Sequence, residues 1–142
     1  MSKIIIVGVD GSDTAFDAAT RAAELASKTG DELRVVSAHA KDNTEVVHIG
    51  SDTWILDDAD QANKLSANIA ERLRQSFPEA NITSGAIHGK PAEGLVKEAE
   101  ELGADLIVVG NVGMKGLGRV LGSVASGVVN NAPCDVYIVK TA

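Results

Sequence analysis

Two stretches of this chain, "IIIVGV" at residues 4–9 and "LIVVG" at 106–110, carry no polar residue at all. A strand with one face in water alternates apolar and polar side chains. A strand covered on both faces does not. Such runs belong to a parallel sheet held between two layers of helix, and the rest of the chain must then supply helices as crossovers.

The intervening segments read that way. "DGSD" closes the first strand, and Ser12 or Asp13 can cap a helix that places Ala15, Ala18, Ala19, Ala22, Leu25 and Ala26 at helical spacing, with Gly30 as its stop. "ELRVVSAH" is a second strand. The polar stretch "AKDNTEVVHIGSDT" shows no hairpin pattern and is expected to be either a lid over a ligand or a disordered connection. Apolar spacing then predicts one helix from Trp54 to Phe77, ended by Pro78. "NITSGAIHG" is a third strand, and Pro91 opens a helix, "AEGLVKEAEEL", that stops at Gly103. "ADLIVVG" is the fourth strand, "LGSVASGVVNNA" a helix and "CDVYIVKT" the fifth strand. Strands alternating with helices give an α/β fold, a parallel sheet with helices on both faces and right-handed connections. Residues 1–142 are expected to form one domain.

Thirteen Lys and Arg against twenty Asp and Glu leave a formal charge of −7, with 3% aromatics. That balance argues against nonspecific nucleic-acid binding, which draws on many cationic contacts to phosphate and on stacking side chains. The six-residue apolar run at Ile4 to Val9 is too short for a signal segment or a membrane span. Cys134, the only cysteine, suits a reducing compartment and is expected to be packed rather than reactive. A cytoplasmic protein without membrane partners is the expectation.

Between the fourth strand and the next helix lies "GNVGMKGLGRVLGS", residues 110–123. Each glycine costs about 0.5–1 kcal/mol relative to alanine inside regular structure. In an open parallel sheet, ligands bind beyond the carboxyl ends of the strands where strand order reverses. A helix N-terminus there offers free N–H groups and a positive dipole to an anion. Gly110, Gly113, Gly116 and Gly118 are expected at positive φ, close to a phosphate, and Ser123 offers a hydroxyl and an N–H. Neither a P-loop nor a dinucleotide fingerprint is present. Physically, the stretch is either a phosphate cradle or a structural glycine loop.

Gly110, Gly113, Gly122 and Ser123 resemble the G-x2-G-x9-G-[ST] nucleotide-binding motif of the universal stress protein family. "IIIVGVDGSD" is similar to that family's first strand and turn, and "APCDVYIVK" to its last strand, so the resemblance runs over essentially the whole chain. One residue departs: eight residues, Met114 to Leu121, separate Gly113 from Gly122 where the motif has nine. The resemblance implies an adenine nucleotide alpha hydrolase-like, Rossmann-like sheet of five strands in the order 3-2-1-4-5. It implies a stress-response protein that binds an adenine nucleotide, ATP first, with slow or no hydrolysis. Cyclic AMP binding, as in some relatives, or slow ATPase activity are the alternatives. Gly8, Val9 and Asp10 would then meet adenine and ribose, and Ala38 would border the base. Phosphates would lie against Gly110, Val112, Gly113, Met114, Lys115, Gly116, Arg119, Gly122, Ser123 and Val124. The resemblance also implies a homodimer through the last strand.

Asp10 can bond a ribose hydroxyl or hold Mg²⁺ together with phosphate oxygens; otherwise it serves only the turn. Lys115 and Arg119 either touch phosphates or stay solvated. His39, His48 and His88 have no metal-ligand spacing and are expected on the surface or in loops. No Ser–His–Asp or Cys–His set can be placed at the cradle, and no general base stands beside it.

Overall fold

The apolar runs form the middle of a five-stranded sheet. In chain order the elements are β1 (Ile4–Gly8), α1 (Asp13–Thr29), β2 (Glu32–His39), β3 (Thr44–Ile49), β4 (Asp52–Asp57), α2 (Asp58–Ser76), β5 (Asn81–His88), α3 (Pro91–Leu102), β6 (Leu106–Gly110), α4 (Ser123–Asn131) and β7 (Asp135–Val139). The structure is a computed structural model that describes residues 3–39, 44–49, 52–111 and 121–141, the side chains of 44–49 and 52–58 excepted. The main sheet runs β5-β2-β1-β6-β7, every pair parallel. Counting only its own strands, that is the expected 3-2-1-4-5, and its direction of growth reverses between β1 and β6.

Each central strand divides its side chains between two cores. Ile5, Val7 and Val9 of the first strand and its turn pack with Leu33 and Val35 against α1 and α2. Ile6 packs with Val36, Ile107 and Val109 against α3 and α4. This is why β1 and β6 lack alternation. Ala18, Ala19, Ala22, Ala23 and Ala26 are fully buried, so α1 lies close on the sheet. Ser12 rather than Asp13 caps this helix, its Oγ accepting from the Ala15 N–H at 3.1 Å. Gly30 and Gly103 end α1 and α3 in the left-handed region, at φ 79° and 64°.

The polar stretch corrects the expectation. Thr44–Ile49 and Asp52–Asp57 pair antiparallel as a separate two-stranded sheet. Helix α2 therefore starts at Asp58, not at Trp54. "TEVVHI" and "DTWILD" are each enriched in β-formers, and the two residues between them are Gly50 and Ser51, a pair that hairpins use. Ile55, Ala59 and Ala62 keep helical spacing, but strand pairing of residues 54–57 outweighs it.

The two edges of the main sheet differ. Gly89 N–H donates to the His39 carbonyl, so odd-numbered residues of β5 turn their peptide groups toward β2 and even-numbered ones turn theirs outward. Two outward carbonyls are occupied. Arg74 donates to the Ile82 oxygen through Nε at 3.2 Å and Nη2 at 2.7 Å. Arg34 donates to the Ser84 oxygen through Nη1 at 3.1 Å while its Nε faces Glu98 at 3.3 Å. Gly85 leaves room for this path, since a β-carbon there would displace the end of the Arg34 side chain. At the other edge, Asn111 N–H donates to the Val139 carbonyl, so the outward peptide groups of β7 are those of Val136 and Ile138. No side chain among the described residues bonds to them.

Candidate functional site

The carboxyl ends of β1, β2 and β6 open on a cleft of about 820 Å³, at the point where the strand order reverses. That volume falls in the range of small-molecule and cofactor sites. Gly8, Val9 and Asp10 line it from β1 and the following turn, and Ala38 from β2. Gly110 lines it from the end of β6, and Ser123 and Val124 from the start of α4. Gly122 stands one residue earlier as the α4 N-cap. Val112, Gly113, Met114, Lys115, Gly116 and Arg119 lie outside the described residues.

Helices α1, α3 and α4 all begin at this cleft, and the starts of α1 and α4 are not equivalent. The start of α1 is closed by its own residues. Ser12 Oγ caps it, Asp10 Oδ1 accepts from Ser12 N at 2.9 Å and Ser12 Oγ at 2.6 Å, and Asp13 adds a second carboxylate. The start of α4 is open. Its N-cap, Gly122, has no side chain, and its first turn carries no acid. The first N–H groups of α4 therefore face the cleft without a side-chain acceptor, at the positive end of the helix dipole. An anion fits at α4 and is repelled at α1.

Asn111 fixes the base of the glycine stretch, which sequence reasoning missed. Its carbonyl accepts from Gly122 N–H at 3.0 Å, joining the two ends of the segment. Its Oδ1 accepts from Thr141 N at 2.8 Å and lies 3.2 Å from Thr141 Oγ1, tying the same residue to the chain after β7. The expectation of positive φ at Gly110 is corrected. The described glycines with positive φ are Gly11, Gly30, Gly89 and Gly103. Gly110 is the last residue of β6, where strand pairing holds it extended. A β-carbon on Gly110 would make only ordinary contacts, 3.7 Å from Thr141 Oγ1. Gly8 is constrained by packing, since a β-carbon there would stand 3.1 Å from Leu95 Cδ1.

His88 is exposed, as expected, and His39 is half-buried, but both stand in strands rather than loops. His39 and His88 end β2 and β5 and are partners in the parallel register. Their rings touch edge to face, with centroids 5.3 Å apart. Forty-nine residues of separation hide what one strand pairing brings together. His39 lines the cleft, as do Gln61 and Leu65 of α2, none of which carries a motif. Cys134 is half-buried against the α3–α4 core. Burial first, then the Asp135 and Asp105 carboxylates, push its thiol pKa up, which disfavours the reactive thiolate.

The model of the universal stress protein family matches residues 1–140. This chain belongs to the universal stress protein family. Universal stress protein Rv1636 of Mycobacterium tuberculosis is 37% identical over 146 aligned residues, which cover 98% of this chain and 97% of that protein. A crystal structure of a universal stress protein in complex with cAMP is similar at TM-score 0.74 and 30% identity, covering 99% of this chain and 98% of the other. The universal stress protein from Archaeoglobus fulgidus in complex with dAMP is similar at TM-score 0.68 and 25% identity, with 99% and 98% covered. In universal stress protein terms, the motif residues placed by this structure are Gly110, Gly122 and Ser123, held together by Asn111. Of the one-residue-short span between Gly113 and Gly122, all but Leu121 falls outside the described residues. Among the described residues, no helix is long and apolar enough to cross a membrane.

Proposed function

We propose that this universal stress protein is a regulatory adenine-nucleotide-binding protein of the stress response, acting in the cytoplasm, with ATP as its first ligand and slow or no hydrolysis. The open start of α4 carries the reading: it is an anion seat without an acid, set in the cleft at the strand-order reversal. The base would lie toward Ala38 and the ribose toward Gly8, Val9 and Asp10. The phosphates would lie between Gly110, Gly122, Ser123 and Val124 and the residues Val112, Gly113, Met114, Lys115, Gly116 and Arg119. Cyclic AMP is the second reading, favoured by the similar protein solved with cAMP.

Mg²⁺ fits the residues present in one way. Asp10 is the acidic side chain that lines the cleft. Its Oδ1 serves Ser12, so a metal would take the other carboxylate oxygen and complete its shell with phosphate oxygens and water, as Mg²⁺ commonly does. Slow hydrolysis is the reading that the described groups support. His39 sits at the end of β2, two strand spacings or about 10 Å from β6, too far to activate water at a phosphate held by α4.

The test is calorimetric titration with ATP, ADP, AMP and cyclic AMP, alongside mass identification of any nucleotide carried through purification. Binding of at least one of the four is expected. Ser123→Ala should weaken it by about 1–2 kcal/mol, the scale of one hydrogen bond to a charged group. No heat with any of the four overturns the binding reading. ATP turnover near 10 per second, an ordinary enzyme rate, overturns the regulatory one.

The homodimer belongs to the same proposal. Among the described residues, the outward peptide groups of Val136 and Ile138 at the β7 edge find no partner, and Val136, Tyr137 and Ile138 are only partly buried. Pairing with a second copy about a two-fold axis would cover them. Sedimentation velocity at micromolar concentration should give the mass of two chains; one chain's mass rules the dimer out.

A further inference from the structure

We propose that His39 and His88 form a two-imidazole site for a divalent transition-metal ion, Zn²⁺ or Cu²⁺, at the β2–β5 end of the cleft. It is independent of the nucleotide reading. Three observations meet here. The two residues are register partners on neighbouring parallel strands, so their side chains leave the same face of the sheet. Their ring centroids are 5.3 Å apart. Two imidazoles sharing one tetrahedral ion, with metal–nitrogen bonds of about 2.0–2.1 Å, place their centroids about 5 Å apart, which matches the observed separation. Finally, His39 Nδ1 is buried without a hydrogen-bond partner among the described residues. A buried, unsatisfied ring nitrogen is costly, and a bond to metal is one way to remove that cost.

The surroundings admit a cation. His88 is exposed, so an ion can reach the pair from solvent, and the chain's formal charge of −7 favours its approach. Imidazole nitrogen suits zinc and copper better than the oxygen-seeking Mg²⁺ or Ca²⁺. No third His, Cys, Asp or Glu joins the pair among the described residues. The remaining coordination positions therefore fall to water or to a molecule in the cleft that His39 lines. The competing reading is a plain edge-to-face ring contact.

Tag-free protein titrated with Cu²⁺ and followed by electron paramagnetic resonance separates the two. One ion per chain with two nitrogen ligands is expected, and Zn²⁺ should displace it. His88→Asn, at an exposed position, should weaken binding at least tenfold without changing the melting temperature of the metal-free protein. His39→Asn should do the same to binding, and His48→Asn should leave it unchanged. A copper signal with fewer than two nitrogens, binding that survives both substitutions in the pair, or binding lost only with His48→Asn overturns the proposal. So does wild-type protein that takes up no copper.

Discussion

Ser123→Asp is expected to abolish nucleotide binding while making the protein more stable. Aspartate in the first turn of α4 places a carboxylate at the positive end of the helix dipole, in a turn that now carries no acid. That position is favourable to a helix by about 0.3–1 kcal/mol. In a domain of this size the melting temperature should rise by about 1–4 °C. The same carboxylate would stand where a phosphate is proposed to sit. Two like charges about 4 Å apart repel by about 4 kcal/mol at an effective dielectric of 20, or roughly a thousandfold in affinity. Thermal melting and calorimetry on one sample measure both effects. Affinity within tenfold of wild type, with stability raised, would show that phosphates do not use the start of α4.

The second large effect is structural. A β-carbon on Gly127 would lie 2.7 Å from Ala92 Cβ, closer than real β-carbons approach. Ala92 has no further side chain that could swing aside, so α3 and α4 must separate. Gly127→Val adds two more methyl groups at that crossing. It should cost about 2–3 kcal/mol, the upper part of the range for overpacked cores. The measurement is the denaturant midpoint at unchanged slope. Because α4 carries Ser123 and Val124 on its first turn, nucleotide affinity should fall as well. Gly127→Val with wild-type stability would mean that the two helices are not in contact. The sequence shows a glycine inside an apolar helical pattern, a position where alanine would favour the helix. Only the neighbouring helix explains it.

Much of this fold was legible because strand burial leaves a direct mark on composition. β1 and β6 could be placed from their unbroken apolar runs, and β2 was read to its observed bounds, Glu32–His39. Ser12, Gly30, Pro91 and Gly103 marked helix ends through their own backbone chemistry. The hairpin was missed because Ile55, Ala59 and Ala62 satisfy helical spacing, and pairing between β3 and β4 is a property of two segments rather than one. The candidate cleft was legible where a motif names residues along the chain, as with Gly110 and Ser123. It was not legible where its construction depends on neighbours across strands. Asn111 works through Thr141, thirty residues away, and His39 meets His88 only through register. Gly110 shows the opposite error: a glycine in a motif suggested an unusual dihedral, but strand pairing holds it extended.

The contrast between the sheet's two rims bears on how large an assembly this sheet can seed. A sheet with two receptive rims can add copies without limit, because each newcomer presents a fresh rim. Here Arg34 and Arg74 block two outward carbonyls of β5, while Val136 and Ile138 leave β7 open. A molecule with one receptive rim can be extended only once. Were two copies to join rim to rim, the outermost strand at each end would be β5, with guanidinium groups on two of its outward carbonyls. If copies pair through β7, the arginine contacts at Ile82 and Ser84 would disfavour further strand addition at β5, so growth at this sheet would tend to stop at two chains.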